Sequence, residues 1–322
     1  MALILGITGS PRKGGNSEVL LEVFLKETVE ATVKVEVFSV RDLKISPCLG
    51  CRFCEEKGFC KLSDQMGGIY ALFKQADLVV ISTPVFFYGF PAQLKALVDR
   101  SQALWSRRYK LGLRDPKSPW RKGVVLAVGA TKGERLFLGI ELSSKYFFDA
   151  IGAHFEGVIG AKGFDRPREV LGDEDFMYRL RQRAKELLFP LTRRKKVLFV
   201  CKHNACRSQM AQAFLEFYGG DRFEALSAGD DPWKEIHPMT FQLMAEKGLD
   251  LYFRKPKHIE DILEDAPFDL VVSMGCEVSC PMVPGKRFVQ WDLEDPIGKP
   301  IEVGREVRDL IEKKVKELLE GV

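Results

Sequence analysis

Residues 2–17 read ALILGITGSPRKGGNS, an apolar run that passes directly into a glycine-rich turn. The run from Ala2 to Thr8 predicts a strand buried on both faces, and the pattern from about Asn16 to Thr28 predicts an amphipathic helix. Further apolar strands, separated by helical patterns at about 64–76, 90–104, 134–151 and 174–188, are expected at 33–38, 78–82, 123–128 and 154–159. Short buried strands that alternate with helices predict an α/β domain with a doubly wound parallel sheet.

The same alternation begins again after a proline and a run of basic residues at 189–196. Strands are expected near 197–200, 224–227, 270–273 and 287–290, with helices at 207–218 and 303–319. A proline followed by charged residues after a long helix is typical of a linker. The sequence therefore predicts two tandem doubly wound α/β domains, residues 1–190 and 195–322, as the length of 322 residues allows.

Composition argues against several classes of function. A net charge of +4 is too small to indicate a nucleic-acid partner. No run of 18 apolar residues occurs, and residues 1–10, MALILGITGS, lack the basic start of a signal peptide, so we expect neither a membrane span nor secretion. The eight cysteines form two groups, at 48–60 and 201–280, with spacings typical of metal or catalytic sites, so we expect a reducing, cytoplasmic location.

The loop after the first strand, GSPRKGGNS at 9–17, has the composition of an anion site. Its amides, its hydroxyls and the following helix N-terminus can hold a phosphate group. It lacks the G-K-[ST] ending of a nucleoside-triphosphate loop and the G-x-G-x-x-G of a dinucleotide site. We therefore expect a monophosphate held by Ser10, Arg12, Asn16 and Ser17, although Asn16 could instead be a simple helix cap.

Two more loops follow predicted strands, at the edge where open α/β sheets bind ligands. The first, TPVFFYGFP at 83–91, is aromatic and could stack a planar ring, although such a loop alone is more often core. The second, GATKG at 129–133, could close over the same ring. The candidate ring-binding residues are Pro84, Val85, Phe86, Phe87, Tyr88, Gly89, Gly129 and Thr131.

The motifs GSPRKGGNS at 9–17 and TPVFFYGFPAQLK at 83–95 resemble those of the flavodoxin-like NAD(P)H-dependent FMN reductases. The resemblance extends over about residues 1–188. It implies FMN as cofactor, with its phosphate on the first loop and its isoalloxazine ring against the second, and NAD(P)H as co-substrate. Enzymes of this family are commonly dimers or tetramers, so it also implies a homo-oligomer.

Four cysteines, Cys48, Cys51, Cys54 and Cys60, stand within thirteen residues after the second predicted strand. Four thiolates in one loop can hold a [4Fe–4S] cluster, and the alternatives are a zinc ion or thiols without metal. The spacing resembles that of the iron–sulfur flavoproteins, a branch of the FMN reductase family. That resemblance implies a cluster close to the flavin.

The second cysteine group begins in VCKHNACRS at 200–208, where Cys201, five further residues and Arg207 stand between an apolar strand and a helix. Loop amides, Arg207 and the helix N-terminus can surround a tetrahedral oxyanion. The same groups favour the thiolate of Cys201, and Ser208 can donate a hydrogen bond to it. For Cys206, inside the loop, catalysis and simple packing stay equally open.

Asp295 precedes a proline in WDLEDP at 291–296, directly after a predicted strand. A carboxyl group in that place can reach an oxyanion loop as general acid. A lone Asp-Pro pair is usually a turn or a cap, but the nucleophile loop beside it favours the catalytic role.

Residues 200–214, SAG at 227–229, His237-Pro238 and SMGCEVSCP at 273–281 resemble the arsenate reductases built on the low-molecular-weight tyrosine phosphatase fold. The resemblance covers about residues 195–322. It implies that Cys201 attacks arsenate while Asp295 protonates the departing oxygen, on a loop that also carries Asn204, Arg207 and Ser208.

The same resemblance implies a thiol relay. Cys276 would attack the sulfur of Cys201 and release arsenite, and Cys280 would then move the disulfide to the surface. Only three residues separate Cys276 from Cys280, which leaves open the order of the relay and whether Cys280 is the final resolving thiol. The need for a thioredoxin-like partner also stays open.

Both modules stand on one chain, which predicts that electrons pass from NAD(P)H through FMN to the disulfide of Cys276 and Cys280. Arsenate would be the substrate. Two other functions stay open: a phosphatase under redox control, and a redox sensor without turnover.

Overall fold

The computed structural model of the protein describes residues 1–28, 33–275 and 283–321. Contacts divide the chain into two compact units. Unit 1 comprises Met1–Gly112 and Ser118–Thr192. Unit 2 comprises the residues from Arg193 onward together with Leu113–Lys117. The sequence places 113–117 in the first domain, whereas the structure groups them with the second because the backbone of Arg114 pairs with Leu249.

Unit 1 is built on five parallel strands in the order β2-β1-β3-β4-β5, which is the flavodoxin-like order. The strands are β1 (Ala2–Thr8), β2 (Val33–Ser39), β3 (Leu78–Pro84), β4 (Lys122–Gly129) and β5 (His154–Lys162). The helices are α1 (Asn16–Lys26), α2 (Phe53–Lys57), α3 (Met66–Gln75), α4 (Ala92–Arg100), α5 (Gln102–Tyr109), α6 (Leu138–Ala150) and α7 (Glu174–Thr192). All five expected strands are present, so the predicted fold class is confirmed for this unit.

Helices α1 and α7 cover one face of this sheet. Leu20 and Phe24 of α1 and Leu180 of α7 are buried in one cluster with Val80 and Leu126 of the central strands. Since helices lie on both faces of a doubly wound sheet, its central strands are apolar throughout, as the sequence of β1 indicates.

The helices of unit 1 differ from expectation in three respects, the first of which is that the short α2 was not expected. The helix predicted over 90–104 is divided into α4 and α5, which meet at Ser101. Helix α7 continues to Thr192 through Pro190, where the sequence predicts a linker. Proline removes the backbone N–H that would otherwise bond to the carbonyl four residues earlier, and α7 continues for two residues beyond it.

Unit 2 has four parallel strands in the order β7-β6-β8-β9. They are β6 (Lys195–Cys201), β7 (Phe223–Gly229), β8 (Leu270–Met274) and β9 (Phe288–Trp291), with helices α8 (Arg207–Gly219), α9 (Pro238–Ala245) and α10 (Ile301–Gly321). The expected strands and helices are confirmed, and α9 is an addition. Within the described ranges no helix is long and apolar enough to cross a bilayer.

Candidate functional sites

The loop between β6 and α8 holds the thiol of Cys201, which is buried in unit 2. Its Sγ lies 3.0 Å from the hydroxyl of Ser208. Ser208 Oγ also accepts a hydrogen bond from Asn204 Nδ2 at 2.8 Å. The amide of Asn204 and the hydroxyl of Ser208 thus form a hydrogen-bonded chain that ends at the sulfur of Cys201.

Asn204 fixes the backbone of this loop. Its φ is 47°, in the left-handed region that asparagine tolerates better than most residues. Its Oδ1 accepts hydrogen bonds from Gln209 Nε2 at 3.0 Å and from the backbone N–H of Lys257 at 2.8 Å. A Cβ on Gly229 would lie 2.6 Å from the carbonyl oxygen of Lys202, so only glycine allows β7 to approach the loop this closely.

Arg207 and Asp295 form an ion pair across 88 residues of sequence, with Nη2 2.6 Å from Oδ2. Arg207 also donates from Nη1 to the carbonyl oxygen of Leu293 at 3.0 Å, and Asp295 Oδ1 accepts from the N–H of Ile297 at 3.1 Å. The arginine is buried, whereas the Asp295 side chain is 42% exposed and can exchange a proton with solvent. An oxyanion bound to Arg207 would share that guanidinium with Asp295.

Cys206 lies in the same loop but in a different environment. Burial raises the pKa of its thiol to about 12, and repulsion from Cys201 and Asp295 acts in the same direction. It packs in the same core cluster as Met210. A thiol that stays protonated at neutral pH is a poor nucleophile, so the geometry favours packing over catalysis for Cys206.

Cys276 and Cys280, for which the resemblance to arsenate reductases implies a thiol relay, lie outside the described residues. Strand β8 ends at Met274, and Gly275 follows with a φ of 114°. A Cβ on Gly275 would lie 3.1 Å from Nη1 of Arg207. The chain therefore passes beside Arg207 immediately before residue 276.

In unit 1 the three candidate ligand loops follow the neighbouring strands β1, β3 and β4. Gly15 precedes α1 and has no side chain to cap it, which leaves the first-turn amides to a ligand or to solvent. Ser10 and Ser17 are buried in the loop, and Arg12 is exposed. The Thr8 hydroxyl at the end of β1 is buried without a hydrogen-bond partner among the described residues, an orphan that a ligand could satisfy.

The side chain of Asn16 makes two hydrogen bonds to distant backbone groups that the sequence does not predict. Its Nδ2 donates to the carbonyl oxygen of Arg166 at 2.8 Å, and its Oδ1 accepts from the N–H of Val170 at 3.2 Å. These bonds leave at most one side-chain N–H for a phosphate, so Asn16 mainly anchors the loop to the segment before α7. Sequence reasoning missed Glu18, which accepts from the N–H of Gly14 and pairs with Arg41 at 2.8 Å.

The aromatic loop folds into a tight turn in which Phe86 and Gly89 exchange backbone hydrogen bonds of 3.0 and 2.9 Å. Phe87 and Tyr88, at its tip, have φ values of 49° and 62°, which are rare for aromatic residues. Both rings are exposed. A Cβ on Gly139 would lie 2.3 Å from the carbonyl oxygen of Tyr88, so glycine there makes room for the turn. Strain of this kind concentrates at binding sites.

The remaining candidate ring contacts lie at the same edge of the sheet. Pro84 ends β3, and the N–H of Val85 donates to the carbonyl oxygen of Val128 at 2.9 Å. Gly129 ends β4 and accepts from the N–H of Gly163 at 2.8 Å, while Thr131 is exposed. The structure therefore brings the three loops together as open α/β folds do around a ligand, and the donors fit the phosphate and ring of FMN.

The four cysteines at 48–60 line one cavity of about 460 Å³ in unit 1. Cys48 and Cys51 are exposed, and Cys54 and Cys60 are partly buried. Burial raises the pKa of the Cys54 thiol, a hydrogen bond from Ser106 Oγ at 3.5 Å lowers it, and repulsion from Cys60 and Cys48 raises it again. The thiols are thus close enough to influence one another electrostatically.

Arg100 of α4 and Arg107 of α5 bind the segment that carries the four cysteines. Arg100, which is buried, donates to both carboxylate oxygens of Asp64 at 2.7 and 3.1 Å and to the carbonyl oxygen of Ser46 at 2.9 Å. Arg107 donates to the carbonyl oxygen of Gly58 at 3.1 Å. Four thiols that line one cavity are the donor set that an iron–sulfur cluster requires. Among the residues that the structure describes, no three Cys, His, Asp or Glu side chains are close enough to hold one metal ion.

Comparisons with known proteins match two separate parts of the chain. Residues 2–157 match the NADPH-dependent FMN reductase family, and residues 196–322 match the low molecular weight phosphotyrosine protein phosphatase family. An iron–sulfur flavoprotein of Archaeoglobus fulgidus is 32% identical over 191 residues, which is 57% of this chain and 94% of the relative. The glutaredoxin arsenate reductase of a Synechocystis species is 38% identical over 128 residues, 39% of this chain and 96% of the relative.

Another similar protein is an iron–sulfur flavoprotein of Methanocaldococcus jannaschii, 37% identical over 129 residues. That alignment includes 40% of this chain and 63% of the relative. An iron–sulfur flavoprotein of Methanosarcina thermophila is covered to 64% of its length. The chain thus spans less than two thirds of these two relatives.

Proposed function

We propose that this protein is an arsenate reductase with its own electron donor. The chain belongs to the NADPH-dependent FMN reductase family in its first half and to the low-molecular-weight phosphatase family in its second. The observation that carries the proposal is the environment of Cys201: its thiol contacts Ser208 on the loop of the Arg207–Asp295 pair. Gly275, beside Arg207, leads directly to Cys276, which a phosphatase would not need.

The chemistry begins with the thiolate of Cys201, which attacks the arsenic atom of arsenate. Asp295 in its protonated form gives a proton to the departing oxygen, which leaves as water. Cys276 as thiolate then attacks the sulfur of Cys201. The electron pair of the As–S bond stays on arsenic, so arsenic(V) leaves as arsenite and two thiols become a Cys201–Cys276 disulfide.

Cys280 completes the relay. Its thiolate attacks the sulfur of Cys276, frees Cys201 and leaves a Cys276–Cys280 disulfide, which needs two electrons to open. FMN, when bound, would supply them after accepting a hydride from NAD(P)H. Ser10, Ser17 and the first-turn amides of α1 would hold its phosphate, and the turn at 86–89 would lie against its ring. Covalent linkage of donor and acceptor would keep their effective concentration at about a millimolar.

We also propose that Cys48, Cys51, Cys54 and Cys60 hold a [4Fe–4S] cluster. Their shared cavity and the similarity to iron–sulfur flavoproteins support this. Anaerobic reconstitution should give about four iron atoms and equal acid-labile sulfide per chain. Cys51→Ser should lose most of both, whereas Cys206→Ser should match the unaltered protein. Equal iron in all three would reject this ligand set.

The central test is anaerobic turnover without added thiol or thioredoxin. The protein with FMN receives NADPH or NADH plus arsenate, and arsenite is measured. We expect one arsenite per reduced cofactor consumed, and Cys276→Ser should abolish arsenite formation while flavin reduction persists. Arsenite that appears only with dithiothreitol would keep the chemistry at Cys201 but reject the internal electron route. We also propose that the chain forms a homo-oligomer, which analytical sedimentation would test. A thioredoxin-like protein could also reduce the disulfide, which turnover with the added protein would test.

A second function has one specific observation in its favour. Cys201, Arg207 and Asp295 alone are sufficient for hydrolysis of a phosphate monoester, without Cys276. Steady hydrolysis of an aryl phosphate together with no arsenite formation would make the protein a redox-controlled phosphatase.

A further inference from the structure

The segment Leu113–Lys117, between α5 and β4, belongs by its contacts to unit 2, although both of its neighbours along the chain belong to unit 1. We call it the strap. The N–H of Arg114 donates to the carbonyl oxygen of Gly248 at 2.8 Å, and its carbonyl oxygen accepts from the N–H of Asp250 at 2.8 Å. These bonds form a parallel bridge with Leu249. The two residues after Arg114 are buried, so the strap is integrated into the unit.

The chain that pairs with the strap leads directly to the catalytic loop. Leu249 and Leu251 are buried in the same core cluster as Cys201. Lys257, a few residues farther on, donates its backbone N–H to Asn204 Oδ1 at 2.8 Å, and its carbonyl oxygen accepts from Gly229 at 2.9 Å. The segment 248–257 therefore has the strap at one end and the catalytic loop at the other.

From Asn204 the contacts reach the nucleophile in two steps. Asn204 Nδ2 lies 2.8 Å from Ser208 Oγ, which lies 3.0 Å from Cys201 Sγ. Burial lowers the pKa of Lys257, and repulsion from Lys117 of the strap acts in the same direction. The charge of Lys117 in the strap therefore acts on Lys257, the residue whose backbone N–H donates to Asn204.

We propose that the strap is a positioning segment for the Cys201 loop. A piece of the flavin-reductase half of the sequence completes the reductase unit and holds 248–257 against Asn204, so that Ser208 stays oriented toward the thiolate. The inference rests on the proposed role of Cys201 as nucleophile. A reductase unit cut from the chain at residue 193 would lack this support.

The intact chain of 322 residues offers a matched pair of variants at Arg114. Arg114→Pro removes the N–H that donates to Gly248, whereas Arg114→Ala removes only an exposed side chain and keeps both backbone bonds. Alkylation of Cys201 by iodoacetamide is followed by peptide mass spectrometry between pH 5 and 9, with and without inorganic phosphate. We expect the rate for Arg114→Pro at pH 7 to fall about tenfold, with the midpoint raised by about one pH unit. Arg114→Ala should stay within about twofold of the unaltered protein.

Hydrogen exchange separates positioning from unfolding. In Arg114→Pro the Asp250 amide should lose protection while α10 amides keep theirs. If the Asp250 amide of Arg114→Pro loses protection but the pH profile of Cys201 alkylation is unchanged, the proposal is overturned. An Asp250 amide that exchanges without protection in the unaltered protein would also overturn it. Should α10 also lose protection, Asp115→Ala is measured in the same assay, because it keeps the backbone of Arg114 and removes a strap carboxylate that accepts from the N–H of Lys117 at 2.8 Å. An Asp250 amide that loses protection in this variant while the Cys201 pH profile stays unchanged would overturn the proposal. These readouts need no arsenate turnover, so they distinguish failure here from failure of the proposed function.

Discussion

At the scale of single residues, Asp295 has a charged partner in the structure and competes for it under the proposed function. Its carboxylate is bound to Arg207, and the same guanidinium would bind the incoming oxyanion. The carboxylate would therefore compete with the substrate before serving as proton donor. This competition separates its effect on binding from its effect on turnover.

Asp295→Asn should lower arsenite formation about 100-fold, since the variant has no acidic proton for the departing oxygen. Inorganic phosphate should bind equally well or more tightly, because Arg207 is released from its ion pair. Calorimetry with phosphate and a dithiothreitol-driven arsenite assay measure the two effects. Glu294→Gln removes the same charge from an exposed neighbour and should change neither. Weaker phosphate binding by Asp295→Asn would contradict this view.

At the scale of elements, the packing of β4 against α6 depends on one glycine. A Cβ on Gly123 would lie 2.1 Å from Phe148 Cδ1, inside the buried aromatic cluster. Gly123→Ala should therefore destabilise unit 1 by about 1–3 kcal/mol. Gly67→Ala, in α3 with nothing near its Cβ, should be neutral or slightly stabilising. Urea unfolding followed by far-UV circular dichroism compares the pair, and equal midpoints would refute the packing argument.

Helix α10 is held by an ionic cluster around Glu312. Burial opposes ionisation of this carboxyl group, but hydrogen bonds from Lys247, Lys316 and Tyr218 outweigh it and lower its pKa to about 2. Because its ordinary value is 4.5, Glu312 contributes stability that is fully present above pH 4.5 and is lost as the pH falls toward 2.

Glu312→Gln should therefore reduce the loss of thermal stability of unit 2 between about pH 4.5 and 2 and lower its melting temperature by a few degrees at pH 7. Calorimetric melting temperatures across this pH range test the effect. Glu317→Gln, on the same helix but largely exposed beside Lys313, is the control and should leave the profile unchanged. Identical acid profiles for both variants would rule out the assigned role of Glu312.

At the scale of the whole molecule, each unit has its own sheet and its own buried core. We expect two calorimetric transitions. FMN should raise the transition of unit 1 and phosphate that of unit 2, each through binding to the folded form alone. One transition that both ligands raise equally would mean that the units unfold together.

The sequence by itself determined the succession of strands and of the longer helices along the chain, because apolar runs and turn residues are local signals. The short helices α2 and α9 were not predicted. The sequence also determined the loop from Cys201 to Ser208, whose members are neighbours in sequence. Only the tertiary structure decided that Arg207 pairs with Asp295, that Asn16 is bound by the segment at 166–170, and that residues 113–117 belong to unit 2. Those contacts join residues that are far apart in the chain. Their interaction energy depends on how the packed elements meet, so no local sequence pattern predicts them.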